Sequence, residues 1–412
     1  MRVLHISTCD WMGGAGKAAN RLHNELKKHG VDSHMLVDVK ECLDDNSIHS
    51  ITGLTGWWSR LFYYIRGKVD HLPLLLYPNR IKKPWAIGRL NRNIEKYVDK
   101  LQPDIVHMHW NSANVSIKEL SSLSYPTVWT MHDNNLATGG CCCPGECKKY
   151  QSCCGKCPQL GSAKEYDLSR RVNLMRQNCF LNSDIKFVVL SEWQRKIALS
   201  SSIHRNSMLT KIPNGVDIET FFPMNMKECR KELNLPLDRR LLLFGAEAID
   251  DPVKGGNVLA ESLSILGNKF DNKEKPVLVI FGRTPDVDKL DFGLKVINMG
   301  YLNKEKLVKL YSSVDVTIVP SLEDNCPQVP LEAQACGCPV VGFAGTGVAE
   351  LVEDGNTGFI VDYGDEYELC NGIVNALKAD LDIRQSCRNY VEKEYDIALV
   401  VRKYINLYKS VL

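Results

Sequence analysis

The sequence predicts two doubly wound α/β units in tandem, each a parallel sheet covered by helices. Short β-rich apolar runs recur along the whole chain and alternate with segments of helical spacing. At 412 residues the chain exceeds one ordinary core and suits two of about 200 residues each. A turn-rich string, IPNGVDIETFFP at 212–223, interrupts the rhythm near the middle and marks the expected boundary.

The first unit opens with an apolar run at 3–7 and a Gly-rich turn, WMGGAGKAANRLHNELKKHG. A helix follows, because Ala18, Ala19, Leu22 and Leu26 recur at helical spacing. Strands are expected at 34–39, 105–109, 127–131 and 187–190. The second unit repeats the pattern with strands at 241–244, 277–281, 296–298, 316–319, 340–343 and 359–361. Helical segments such as 304–312 and 330–336 separate them. Residues 390–412 keep helical spacing through Ile397, Val400, Val401, Tyr404 and Leu407, and are expected to pack back across the junction. The expected domains are therefore 1–215, with a Cys-rich loop at 139–160, then 216–390, and a closing helix at 391–412. Ligands in such sheets gather at the carboxyl ends of the strands.

The opening apolar run is too short for a signal peptide, and no stretch nears the roughly 18 apolar residues of a membrane span. A cytoplasmic protein is expected, with association to the inner membrane face as an extension. Residues 1–215 hold 29 Lys/Arg against 18 Asp/Glu, and the remainder 22 against 31, giving nets of +11 and −9. The front half is thus suited to an anionic partner. No nucleic-acid recognition motif accompanies the charge, so a membrane surface or a phosphate-linked acceptor is favoured.

The stretch 56–92, GWWSRLFYYIRGKVDHLPLLLYPNRIKKPWAIGRLNR, mixes eight Lys/Arg and one Asp with many aromatic residues. Such a mixture suits a membrane interface, and equally a helix pair packed internally behind a solvated basic face. Seven of the sixteen cysteines crowd into 141–157. In a reducing compartment such crowding points to metal before disulfides.

The string VINMGYLNKEKLVKLYSSVDVTIVPSLEDNCPQVPLEAQACGCPVVGFAGTGVAELVEDGNTGFIV resembles the donor-binding domain of family 4 glycosyltransferases. IPNGVDIETFFP resembles that family's interdomain segment, and MHDN at 131–134 its N-domain catalytic loop. GGCCCPGECKKYQSCCGKCPQL further resembles a bacterial exopolysaccharide, colanic-acid-type branch. The resemblance covers nearly the whole chain. It implies the GT-B fold: two Rossmann-like domains facing across a cleft. It also implies retaining, metal-independent transfer from a UDP- or GDP-sugar to a saccharide or lipid-linked acceptor in capsule, exopolysaccharide or O-antigen synthesis.

Residue by residue, the resemblance makes His132 a donor-sugar contact, with Asp133 orienting it or holding the next turn. Asp324 stands where the family has a Glu near the sugar ring, one methylene shorter and beside Glu323. Glu332 falls where a Glu holds the ribose hydroxyls. Lys254 keeps the family's Lys-Gly context and should grasp the diphosphate. Ala246 replaces the partner Arg, for which Arg283 is a candidate substitute. Gly14, Gly282, Gln328, Val329 and Pro330 complete the expected donor site. On physical grounds, a helix starting near Pro330, with Glu332 in its first turn, offers unbonded N–H groups and a dipole to a diphosphate.

Cys141, Cys147, Cys154 and Cys157 match the branch's C-x5-C-x6-C-x2-C spacing. Tetrahedral structural zinc is the favoured state, with disulfides or an iron–sulfur cluster as alternatives and Cys142, Cys143 and Cys153 as extra thiols. No cofactor is expected for catalysis itself. GGAG at 13–16 lacks the G-x-G-x-x-G pattern, which sets a dinucleotide site aside. The rival readings are a nucleotide-sugar epimerase of the same fold and a catalytically weakened sugar-nucleotide binding protein. The substitutions at Asp324 and Ala246 favour the binding protein.

Overall fold

The computed structural model describes residues 1–111, 115–249, 251–283 and 291–412. They form two compact units: Met1–Pro213 with Val401–Leu412, and Asn214–Val400.

The first unit holds seven strands: β1 (Arg2–Cys9), β2 (Asp32–Val39), β3 (Ile48–Ser50), β4 (Ile105–Met108), β5 (Thr127–Met131), β6 (Lys186–Val189) and β7 (Leu209–Lys211). They pair in parallel in the order β3-β2-β1-β4-β5-β6-β7. Alternate residues face opposite ways, and the two faces differ in character. One carries Leu4, Ile6, Val106, Met108, Trp129, Met131, Phe187 and Val189. It packs on Val98, Leu120, Phe180 and Ala198 from the flanking helices. The other carries Met35 and Val37 against Ala19, but at its centre His5, His107 and Thr130 are buried.

The second unit holds β8 (Leu241–Ala248), β9 (Val277–Arg283), β10 (Lys295–Asn298), β11 (Val316–Val319), β12 (Val340–Phe343) and β13 (Gly358–Val361). Their order is β10-β9-β8-β11-β12-β13, again parallel. Leu242, Phe244, Leu278, Ile280, Ile318, Val341 and Phe343 meet Leu259 and Leu263 of the helix Gly256–Gly267 and Leu369 and Ile373 of the helix Glu366–Lys378. The central runs Leu241–Phe244, Val277–Phe281 and Val340–Phe343 are largely apolar, as suits strands buried on both faces, whereas the edge strand β10 is mostly exposed.

The segment after Pro213 belongs to the second unit. Arg388 binds it by donating to the carbonyls of Ile218 and Phe221. The expected single helix at 390–412 is instead two, Asp382–Glu394 and Ile397–Val411, broken at Tyr395–Asp396 where the backbone pairs with Val216. The later part of the second helix joins the first unit, where the Tyr408 hydroxyl lies 2.7 Å from His107 Nδ1 and that of Tyr404 lies 2.9 Å from Thr130 Oγ1. Two three-residue strands, β3 and β7, were not expected from the sequence.

Candidate active site

In the second unit, Lys254 closes a single 3-10 turn after β8, and Gly255 caps it in the left-handed conformation (φ +74°). A Cβ on Gly255 would stand 1.9 Å from the Pro320 carbonyl oxygen. The Lys254 turn therefore lies directly on the loop that follows β11, and the Leu322 N–H donates to Val253 O at 2.8 Å. This contact brings together two of the expected site residues, since Lys254 Nζ lies 2.6 Å from Asp324 Oδ2. Both side chains remain partly open, at 29% and 16% exposure. The Asp324 carbonyl accepts from Gly347 N–H at 2.8 Å, which fixes the loop from its other side.

The following helix is Gln328–Ala335, with Pro327 as its N-cap and no side-chain cap. It starts two residues before the expected position, so Glu332 lies in the second turn rather than the first. Pro330 is the third helical residue, where a missing N–H costs nothing. Glu332 is nearly buried, and its Oε2 accepts from the Tyr311 hydroxyl at 3.3 Å. Gln328 and Val329 form the opening turn of this helix.

Gly282 has a packing explanation. Its φ is +118°, and a Cβ there would lie 1.8 Å from the Ala246 carbonyl oxygen. Ala246 and Gly282 thus mark a close approach of β8 and β9. Arg283 ends β9 with an exposed side chain. In the first unit, Gly14 sits exposed at the start of the helix Gly13–Lys28, with open space where a Cβ would stand.

His132 leaves the carboxyl end of β5 and lines a small cavity shared with His109, Trp110, Asp133 and Arg176. Gln194 holds this turn in place by donating to Met131 O at 2.8 Å and Asp133 O at 3.1 Å. Asp133 accepts from Trp110 Nε1 at 3.0 Å and from the Asn135 N–H at 2.8 Å. Asp133 therefore holds the turn, and His109 Nδ1 lies 3.0 Å from His132 Nε2. Burial holds the His132 pKa down at about 4, so the ring is neutral at neutral pH. Arg176 lies wholly inside, donating to the carbonyls of Ala86, Asn135 and Thr138, and desolvation lowers its pKa to about 10. Sequence reasoning missed His5, His107, His109, Gln194 and Arg176. The alternate-residue histidines in LHIS and VHMHW were the available signal.

The thiols of Cys141, Cys147, Cys154 and Cys157 lie close enough to influence one another electrostatically. No cysteine is joined in a disulfide among the described residues. Backbone N–H groups of Gln159 and Leu160 point at the Cys157 sulfur, and that of Gly139 at Cys154. Cys154 and Lys156 adopt left-handed φ values of 58° and 44° around Gly155, folding the C-x-x-C into a tight turn. Among the described residues, the one trio of ligand atoms within 4.8 Å of one another is that of His5, His107 and His109, so a metal would have to draw the four sulfurs inward.

Residues 12–220, just over half of the chain, match the family model described as Glycosyltransferase Family 4, and residues 239–379 match Glycosyl transferases group 1. The chain belongs to glycosyltransferase family 4. A D-inositol 3-phosphate glycosyltransferase of Acidothermus cellulolyticus is 31% identical over 183 residues, covering 41% of this chain and 40% of that protein. One from Mycolicibacterium smegmatis is 25% identical over 271 residues, covering 63% and 56%. The chain thus spans about half the length of these curated relatives. Their names agree with glycosyl transfer at large and are not specific to the exopolysaccharide branch. Among solved structures, sucrose-phosphate synthase from Thermosynechococcus elongatus aligns with a TM-score of 0.69 at 18% identity over 100% of this chain and 99% of that one. Anabaena HepE in complex with UDP and glucose aligns with 0.67 at 16% identity over the whole of both chains. At such identity the likeness shows the fold, which is GT-B.

Proposed function

We propose that this family 4 protein is a retaining, metal-independent glycosyltransferase that moves a sugar from a UDP- or GDP-sugar to a saccharide or lipid-linked acceptor in polysaccharide synthesis. The observation that carries the reading is the convergence of Lys254, Asp324 and the uncapped helix bearing Glu332 at the carboxyl ends of β8 and β11. A diphosphate seated there meets one ammonium and the positive end of a helix dipole. Both stabilise the charge that grows on the leaving group. Glu332, buried and steadied by Tyr311, offers its remaining lone pairs to ribose hydroxyls. Asp324 trades Lys254 for a sugar hydroxyl when the donor arrives. His132, neutral and beside the cavity, supplies a ring nitrogen to a sugar hydroxyl. HepE, solved with UDP and glucose, supports a uridine donor.

Two features bear on the acceptor. The names of the relatives favour a phosphorylated polyol. The helix Gly56–Asp70 and the turn Leu72–Leu76 favour a lipid-linked one. Trp57, Trp58, Leu75 and Leu76 are 63%, 62%, 76% and 80% exposed, with Arg60, Lys68, Lys82 and Lys83 in the same stretch. Apolar exposure of this kind marks an interaction surface, and cations beside aromatics suit anionic headgroups. No helix among the described residues is long and apolar enough to cross a membrane, so contact would be peripheral. The cysteine turn supports a structural zinc held by Cys141, Cys147, Cys154 and Cys157. Burial raises the Cys141, Cys154 and Cys157 thiols, N–H groups aimed at the Cys154 and Cys157 sulfurs oppose that rise, and a bound cation would complete the change to thiolate. A bound zinc would cross-link the loop.

The test is thermal unfolding against UDP-, GDP-, ADP- and TDP-sugars. A donor at 100 times its Kd adds about 2.7 kcal/mol of stability, and the shift should shrink in Lys254→Ala and Glu332→Ala. Radiolabelled donor with lipid-linked saccharide or inositol phosphate then identifies the acceptor. An epimerase would interconvert the donor without release, and a binding protein would leave it intact. Either result overturns the transferase reading.

A further inference from the structure

The centre of the first sheet is polar on a face where a buried parallel sheet is ordinarily apolar. His5 and His107 are register partners on β1 and β4, and His109 and His132 lie two residues beyond His107 and Thr130 on neighbouring strands. Their rings form a row. His132 Nε2 lies 3.0 Å from His109 Nδ1, and His109 Nε2 lies 2.9 Å from His5 Nδ1. Both nitrogens of His107 are taken up elsewhere, by Tyr408 and Thr130 at 2.7 and 2.8 Å, so its ring walls the row without joining it. His5 and His109 are buried, and His5 Nε2 has no hydrogen-bond partner among the described residues.

We propose that His109 and His5 are positioning residues, a chain of imidazole hydrogen bonds that fixes the ring and the tautomer of His132 as the Nδ1–H form. The role assigned to His132 rests on the transferase reading; the tautomer does not. Neutral rings carry one proton each, and each N···N bond takes one. The leftover proton falls to an outer nitrogen, either His132 Nδ1 or His5 Nε2. Placing it on His5 would bury an N–H with no acceptor, whereas the opposite state leaves only a bare lone pair there. Orphaned buried donors are the rarer of the two in proteins. His5 therefore donates to His109, His109 donates to His132, and His132 keeps its proton on Nδ1. Burial of His5 and His109 keeps both rings neutral, which the count requires.

The test is the tautomer itself, read from long-range ¹H–¹⁵N spectra of the full chain labelled at histidine, with His132→Asn assigning the resonance. The wild type should show His132 as a single Nδ1–H form. His109→Gln, whose carboxamide both donates and accepts, should preserve it, whereas His109→Phe should give a mixture. Should the Phe variant fail to fold, His5→Leu releases the same chain from its end and should also give a mixture. An Nε2–H form in the wild type, or a single Nδ1–H form persisting in the folded Phe or Leu variant, overturns the proposal. So does a metal-shifted resonance of His5 or His109 that a chelator abolishes, because their nitrogens and that of His107 lie within 4.8 Å of one another. Turnover of the donor found above supplies the second arm. His109→Phe should lower kcat about tenfold or more at unchanged donor KM, with His109→Gln within about threefold of wild type. Full turnover by His132→Ala alongside the expected tautomers would sink the catalytic reading of His132 and leave the relay standing.

Discussion

Lys254 Nζ and Asp324 Oδ2 stand 2.6 Å apart across 70 residues of sequence, so in the absence of a donor the expected phosphate cation is already engaged. A partly exposed pair of this kind is worth about 0–1 kcal/mol, which lets a diphosphate displace the carboxylate. Asp324→Asn should therefore bind free UDP or GDP as tightly as wild type or a few-fold more tightly, while sugar turnover falls. Lys254→Ala should weaken the same binding by about tenfold or more, the loss of a charge-assisted hydrogen bond. Isothermal titration with the free nucleotides reads both, and weaker binding by the Asn variant would contradict the competition.

Three glycines separate packing from ligand contact. Gly255→Ala and Gly282→Ala force a Cβ to within 1.9 and 1.8 Å of backbone oxygens at positive φ. Each should cost about 2 kcal/mol or more and lower the Tm clearly. Gly14→Ala meets nothing within 4 Å and should leave the Tm unchanged, so any loss of turnover there reports a ligand contact.

Acid should weaken the fold through its buried histidines. Burial depresses His23, His132 and His204 to about 4 and holds His5, His107 and His109 well below 6.5. In the unfolded chain these groups titrate near 6.5, so between that value and about 4 the unfolded state binds more protons. Stability then rises with pH across this window and falls on acidification, by on the order of 2–3 kcal/mol for each of His23, His132 and His204, and His5, His107 and His109 act in the same direction. Denaturant midpoints measured from pH 7 to pH 4.5 should drop steeply, and His204→Phe should flatten the slope.

Zinc loss has its own signature. Protein prepared under reducing conditions should carry one zinc per chain, and Cys154→Ser or Cys157→Ser should lose it together with several degrees of Tm. Intact metal content in both variants would remove the ion from these sulfurs.

Tyr408→Phe leaves His107 Nδ1 buried without its partner and should cost about 1–3 kcal/mol. Tyr404→Phe should cost less, since Thr130 Oγ1 keeps His107 Nε2 as a partner. Urea unfolding of the two variants compares the losses directly.

Both sheets were legible in the sequence because most strands are β-branched runs set off by turns. The three-residue strands IHS and LTK were not, being too short and too polar to carry a period. Lys254, Asp324 and Glu332 could be placed individually from their local strings. The pairing of the first two depends on β8 and β11 being neighbours, which no local pattern reveals. The histidines escaped for a different reason: within 105–109 they read as members of an apolar run. A period-two count of that run and of LHIS places them on one face, but only the register of β1 with β4 shows that they touch. The break at Tyr395–Asp396 was hidden because helical spacing continues on both sides of it.

Because segment 401–412 completes the first unit while 214–400 forms the second, the order of synthesis and the order of completion differ. On the ribosome, the first unit to emerge must wait with His107 and Thr130 lacking their tyrosine partners until the whole of the second has been made. The second unit, contiguous in sequence, is free to finish beforehand. Nascent chains stalled before residue 401 should therefore expose a protease-sensitive first unit beside a resistant second one.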